Sequence, residues 1–296
     1  MRLAISGEGL GSVMSLPEIL KVYRNVGVRA IELWPENAPV LPGKSLIHKR
    51  LYENRDIWQA KELLEKAGVE VACVAFGAAF DKALAEDVAL YARQLALAVE
   101  AAHILGAKLV NHYCYHLCME GSFDLFKARR YYAPALELAK EYGVTLVLEN
   151  EAHDATRDPR QMLALVQAMN SPCFCTNYDA TNYYQAGFEA YPMAYNLLRP
   201  VIAHIHIKNG CIYDPAQGHN PLCKGEYATG SLEGHAIYYP TADDGAVNIE
   251  GILRRLLRDG YDGFCTLEPH TTPELCLEYY EKETAYLYGT GFFCPE

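Results

Sequence analysis

Residues 143–149, Gly143-Val144-Thr145-Leu146-Val147-Leu148-Glu149, state the fold in one phrase: a glycine, a short apolar run, then an acid. Glycine adopts the left-handed conformation that ends a helix at low steric cost. A run this short and this apolar suits a strand covered on both faces. The phrase recurs. Gly27 precedes the run 28–33, Gly68 the run 69–74, Gly106 the run 107–112, and Gly260 stands just before 261–268. Three further runs lack the glycine but share the apolar character: 3–6, 173–178 and 201–207.

Helical patterns fill the intervals. The clearest spans 81–105, where Leu84, Val88, Tyr91, Leu95, Ala98, Ala102 and Leu105 recur at spacings of three and four and draw one apolar stripe. Others are expected near 16–26, 53–67, 124–142, 159–169, 191–198, 249–259 and 273–288. Pro17, Pro159 and Pro273 fall in first turns, where a missing N–H leaves nothing unsatisfied. Eight strands alternating with eight helices imply parallel pairing through right-handed crossovers. An open doubly wound sheet is the competitor, but no GxGxxG follows the first strand; Gly7-Glu8-Gly9-Leu10-Gly11 lacks that spacing. The expected fold is therefore an α/β (β/α)8 barrel over 1–296 as one domain, with a long seventh βα connection at about 209–247 that carries no strong period. A connection of that length is usually functional, and it leaves the strand ends where barrel active sites are built.

The chain has 296 residues, 51% hydrophobic and 21% charged, with a formal net charge of -11. Such an acidic balance does not favour phosphate backbones or anionic membrane, and points to small-molecule substrates. Ten cysteines occur without a CxxC pair, and several sit inside apolar runs, so reduced thiols are expected rather than a disulfide framework or a structural zinc site. No apolar stretch approaches the roughly 18 residues that span a bilayer. With no secretory pattern at Met1-Arg2-Leu3-Ala4-Ile5-Ser6, a cytoplasmic location is expected.

The strand ends carry the chemistry. Strand five ends in Glu149, strand six runs into Asp179, strand seven reads Ala203-His204-Ile205-His206-Ile207-Lys208, and strand eight ends in Glu268-Pro269-His270. Each group has an ordinary explanation alone: a helix cap, a turn aspartate, a core histidine. Four consecutive strands placing an acid or imidazole at equivalent positions is another matter, because buried carboxylates repel unless a cation resolves them. The set is expected to hold one divalent metal ion through Glu149, Asp179, His206 and Glu268. Oxygen-rich donors with one nitrogen suit Mn2+ first, with Mg2+ or Co2+ as alternatives. His206, nearer the strand end than His204, is the better ligand.

The phrases GVTLVLEN (143–150), NYDATN (177–182), IAHIHIKNG (202–210) and GYDGFCTLEPH (260–270), with GVRAIELW (27–34) in the first half, resemble the xylose isomerase-like TIM barrel superfamily, the sugar phosphate isomerase/epimerase group. The likeness is detailed over about 140–270 and architectural elsewhere. It implies the same four metal ligands, and in the epimerase branch the two glutamates also act as the acid–base pair. The chain departs from the family pattern at Asn182, where a histidine is frequent; at Asn209, where HxKD has its acid; at 243–246, where a Gly-acid-Gly phrase is usual; and at Ala155, where the ketose 3-epimerase branch carries an acid. Substrate contacts are therefore expected to differ from any one branch.

The function expected is metal-dependent sugar isomerisation or epimerisation: proton abstraction next to a carbonyl through a metal-stabilised enediolate. Glu149 and Glu268 are the expected catalytic pair. His112, at the end of strand four, is a further candidate base. Trp34, Lys208 and His270 are expected to bind substrate, with Tyr113, Tyr115, Tyr178 and Tyr183 as candidate stacking partners. With a leaving group on the adjacent carbon the same machinery gives a lyase, by dehydration or C-glycoside cleavage. Two other classes compete. A DNA-repair endonuclease is disfavoured by the acidic charge and Asn182; a non-catalytic barrel subunit is disfavoured by the intact quartet. The expected partners are a small sugar-derived substrate and other subunits, as a homo-oligomer or complex, without nucleic acid or membrane.

Overall fold

Parallel pairing closes the sheet. In the computed structural model, which describes residues 1–37, 52, 54–118 and 124–295, the barrel strands are β1 (Arg2–Ser6), β2 (Ala30–Leu33), β3 (Glu70–Phe76), β4 (Leu109–His112), β5 (Thr145–Glu149), β6 (Phe174–Asp179), β7 (Ile202–Ile207) and, as the eighth, β11 (Phe264–Leu267). They form a closed ring in the order β1-β11-β7-β6-β5-β4-β3-β2. The eight-stranded barrel read from the sequence is the observed fold.

Inside the ring, composition changes with height. Near the floor, Ala4, Ala30 and Ala72 cluster, and Phe264 packs against them. Three small side chains leave the room that one large ring takes up, as close packing requires. Higher up the inward positions turn polar: Ser6, Glu32, Asn111, Glu149, Asn177, His204, His206 and Thr266 are all buried. Buried polar groups must be paired to be tolerated. The main apolar core lies outside the ring, between strands and helices.

The helices begin and end for identifiable reasons. They are α1 (Glu8–Gly11), α2 (Leu16–Asn25), α3 (Asn54–Ala67), α4 (Lys82–Glu86), α5 (Val88–Leu105), α6 (Leu125–Tyr142), α7 (Pro159–Met169), α8 (Ala180–Gln185), α9 (Tyr195–Leu198), α10 (Ile249–Arg258) and α11 (Pro273–Gly289). Ser15 and Glu18 form a capping box on α2. Asp124 and Asp158 cap α6 and α7. Gly106 and Gly143, at φ 78° and 65°, close α5 and α6 in the left-handed region that other residues avoid. The single helix expected over 81–105 is two, because Asp87 leaves helical geometry and its side chain accepts from Leu90 N at 3.0 Å, capping α5.

By length and composition α5 is apolar enough to cross a membrane, which corrects the expectation that no stretch reaches that length. Its packing accounts for the composition: it lies against α6, β3 and α3, as a covered helix of a barrel does.

The connection 209–247 is also more structured than its sequence suggests. It folds into a three-stranded antiparallel sheet in the order β8-β10-β9, from β8 (Cys211–Ile212), β9 (Lys224–Tyr227) and β10 (Ala236–Tyr238). Asn209 fastens its base. The amide Nδ2 donates to Ala242 O and Val247 O at 2.9 and 3.1 Å, and Oδ1 accepts from Gly210 N and Val247 N at 2.8 and 3.0 Å. An aspartate could not supply the two donors. This explains why the chain carries asparagine where the HxKD pattern has an acid. Tyr239 OH donates to Gln185 Oε1 and Thr229 Oγ1 to Ala152 O, at 3.0 and 2.9 Å, seating the sheet over the barrel mouth.

Candidate functional site

Strand register brings the strand ends to one level. Glu149 pairs with Asn177, Asp179 with His206 and His206 with Thr266, while Glu268 N donates to Ile207 O at 2.9 Å. Alternation along each strand then turns Glu149, Asp179, His206 and Glu268 inward together. One donor atom from each of the four lies within 4.8 Å of all the others, and all four side chains are buried. His206 Nδ1 stands between the glutamates, 3.2 Å from Glu149 Oε1 and 3.1 Å from Glu268 Oε2.

Asn150, next after the β5 glutamate, fixes Asp179. Its side chain exchanges hydrogen bonds with the Asp179 backbone, Nδ2 to O at 2.8 Å and Oδ1 from N at 2.9 Å. Asn182 completes the turn: its N–H donates to Asp179 Oδ1 at 2.9 Å and its amide to Asn150 O at 2.8 Å. The residue that replaces the frequent histidine thus spends its side chain on the backbone. Asp179 Oδ2 is left buried without a hydrogen bond; Lys208 Nζ lies 2.9 Å away in an ion pair. A buried carboxylate oxygen met only by an ammonium, two more carboxylates and one imidazole nitrogen make a donor set that fits a hard divalent cation.

A residue unassigned by the sequence reading lies beneath. Glu32, from β2, places Oε2 2.9 Å from His206 Nε2 and 3.1 Å from His204 Nε2. Asn111 Nδ2 lies 3.2 Å from Glu32 Oε1 and 2.8 Å from Glu149 Oε2, tying the two acids together. The available signal was Glu32 itself, an acid inside Ala30-Ile31-Glu32-Leu33. His204, its Nε2 also 3.0 Å from Thr266 Oγ1, is an interior histidine held from that one nitrogen, with Nδ1 buried and unpaired.

Burial and charge divide the acids. Burial opposes the charge on Glu32, but His206 and His204 outweigh it and hold the carboxyl down to about 2. Burial likewise opposes ionisation of Glu268, and His206 with Lys208 outweighs it, holding it well below the usual range. Glu149 is pushed up, by burial first and by Glu268 as well. For Lys208, burial is overcome by Asp179, Glu268 and Glu149, which keep the ammonium charged.

Other expected residues divide between wall and scaffold. Lys208 Nζ lies 3.2 Å from Glu268 Oε2 and 3.1 Å from His270 Nε2. Both residues, with Trp34, Tyr113 and Tyr115, line a cavity of about 420 Å³ above the quartet. Trp34 stacks on Tyr113 with centroids 6.0 Å apart and donates to Ser6 Oγ at 2.9 Å. His112 is not brought to this cavity. Asn111 faces inward, so its neighbour faces out: the His112 ring packs edge-on against Tyr132 and Phe174, and Nδ1 lies 3.0 Å from Val147 O. Burial lowers its pKa to about 3, an imidazole kept neutral rather than a base at the mouth. Tyr178 and Tyr183 also belong to the scaffold; they pack on each other, and Tyr178 OH donates to Ala190 O.

Comparisons with known proteins agree on architecture. No curated protein matches the chain. Among solved structures, a xylose isomerase-like TIM barrel protein from Mycobacterium smegmatis in complex with magnesium is 18% identical with a TM-score of 0.68, over 98% of this chain and 97% of that one. A probable 3-DHS dehydratase involved in petrobactin synthesis in Bacillus anthracis is 18% identical at 0.65, over 97% and 99%. The apo form of a 3-keto-D-glucoside 4-epimerase from E. coli is 14% identical at 0.66, over 98% and 99%. At these identities the likeness is one of fold. The family model described as xylose isomerase-like TIM barrel matches residues 20–293, and with the closed ring and the strand-end residues described above, the chain belongs to that family.

Proposed function

We propose that this protein is a metal-dependent isomerase or epimerase of a keto sugar, working by proton transfer at the carbon next to the carbonyl. The observation that carries the reading is the convergence of Glu149, Asp179, His206 and Glu268, with donor atoms within 4.8 Å of one another beneath a cavity at the strand ends. A divalent ion held by these four, Mn2+ as first choice, would supply the positive charge that polarises a carbonyl and its neighbouring hydroxyl.

The chain's own residues do the rest. Glu149 and Glu268 reach in from β5 and β11, on either side of His206. A sugar carbon held between them has a carboxylate within reach to remove a proton and a second to return it. Lys208, charged and beside Glu268, is aimed into the cavity where oxyanion charge would develop. Trp34 and Tyr113 offer a flat apolar wall for the less polar face of a ring. The sheet β8-β10-β9 covers the mouth and limits water. Elimination from the same enediolate is the neighbouring reaction; the dehydratase of like fold is a reason to test it, and His270, beside Lys208, stands where a leaving group would need a proton.

The deciding experiment is solvent-deuterium exchange into a panel of keto sugars and 3-keto glycosides with Mn2+ added. Exchange without bond cleavage is the expected result. Release of water or an aglycone would move the assignment to a lyase, and no exchange with any member would remove it.

A further inference from the structure

The cavity over the quartet does not end at His270. A second lobe of about 400 Å³ adjoins it, between α1, the segment 222–225 and the turn 268–273. Glu8, Gly225, Tyr239, Glu268 and His270 line both lobes, so the two lie side by side across these residues. Ligand pockets generally measure roughly 300–1,000 Å³; each lobe reaches that size separately, and together they hold more than one sugar ring requires.

The walls differ in kind. The inner lobe combines the aromatic residues Trp34, Phe80, Tyr113 and Tyr115 with the acids. The outer lobe is lined by Ser12 and Thr271 together with Leu222 and Pro269. Mixed hydroxyl and aliphatic surface suits a polyhydroxylated ring or a modest aglycone.

Charge narrows the occupant further. Glu8, Glu149, Glu151, Glu226 and Glu268 line the inner lobe, and no arginine is found among the described lining residues of either lobe. Lys208 is already held by Asp179 and Glu268 at 2.9 and 3.2 Å. His153 pairs with Glu226 at 3.0 Å. Lys224, on the outer lobe, sets its ammonium over the rings of Tyr213 and Tyr227, 5.1 and 5.8 Å from their centroids. A phosphate or carboxylate on the ligand would find Lys208 and His153 already paired with acids and no guanidinium fork among the described lining residues. Sugar hydroxyls, by contrast, donate to carboxylates in strong charge-assisted hydrogen bonds.

We infer that the substrate is an uncharged glycoside of a keto sugar, its reacting ring in the inner lobe and its second unit in the outer lobe between Ser12 and the Thr271–Thr272 turn. This rests on the proton-transfer reading above. The test measures calorimetric affinities of the Mn2+-loaded protein for D-fructose, D-fructose 6-phosphate and the glucosyl- and galactosyl-fructoses isomaltulose, turanose and lactulose. At least one glycosyl-fructose is expected to bind about tenfold tighter than D-fructose, and the phosphate no tighter than D-fructose. Ser12→Tyr, at an exposed position on the outer lobe, is expected to remove that preference while leaving D-fructose affinity within about twofold; Thr271→Tyr serves as an independent second block. Equal affinity for D-fructose and every glycoside, or tighter binding of the phosphate, overturns the inference. Deuterium exchange on the same ligands keeps the two readings apart. Exchange without a glycoside preference leaves proton transfer standing and removes the two-unit substrate. A Ser12-dependent glycoside preference without exchange does the reverse.

Discussion

Glu32 and His206 stand 174 residues apart in the chain, yet Glu32 Oε2 lies 2.9 Å from His206 Nε2, on the side of the ring away from Glu149 and Glu268. The contact decides which nitrogen does what. Carboxylates on both sides hold the metal-free ring protonated, Glu149 and Glu268 at Nδ1 and Glu32 at Nε2; an ion in the site would take the place of the Nδ1 proton, and Glu32 would keep the one on Nε2. A carboxylate behind a metal-binding imidazole orients the ring and raises its basicity.

Replacing Glu32 should therefore weaken the site without any ligand being touched. Glu32→Gln is expected to lower Mn2+ affinity about 10- to 100-fold, read by calorimetric titration. Unchanged affinity would mean that the interior acid only fills space.

His112 is expected to govern acid stability rather than turnover. The folded imidazole titrates near 3, against 6.5 ordinarily. Between those values the unfolded chain takes up a proton that the folded chain refuses. Stability from this group is therefore complete above pH 6.5 and is lost as pH falls toward 3, by as much as about 5 kcal/mol. Denaturant unfolding across that window should show the slope, and His112→Gln should flatten it while keeping exchange activity within a few-fold. A variant inactive but normally folded would return His112 to the reaction.

These two residues also show how far the sequence could be read. The barrel was legible because glycine stops and apolar runs are local signals, and the quartet because four strand ends carried one acid or imidazole each. Whether Asn111 or His112 faces the interior depends on strand parity, which a one-residue shift reverses. The role of Glu32 needs a contact across the ring that no local pattern encodes. The sheet over the mouth was missed because its strands span two to four residues, too short to show a period.

Lys208 holds Asp179 and Glu268 together by an ion pair to each. Lys208→Met should leave buried Asp179 without its cation, Glu268 keeping His206, and destabilise the metal-free protein by about 3–5 kcal/mol, with Mn2+ recovering part of the loss. Thermal melts with and without Mn2+ test this. The loaded variant should turn over roughly 10²- to 10³-fold more slowly, as loss of an oxyanion partner does.

Asn209 ties both ends of the connection over the mouth. Asn209→Asp removes the donors to Ala242 O and Val247 O and is expected to cost about 2–3 kcal/mol. Hydrogen exchange should rise first in β8, β9 and β10 while the barrel strands stay protected. Uniform loss of protection would contradict the local role.

The central claim is met most directly by anomalous diffraction at the manganese edge from crystals grown with Mn2+. One peak per chain is expected, about 2.2 Å from carboxylate oxygens of Glu149, Asp179 and Glu268 and from Nδ1 of His206. A featureless map there, or a peak only at some other group of side chains, would contradict it.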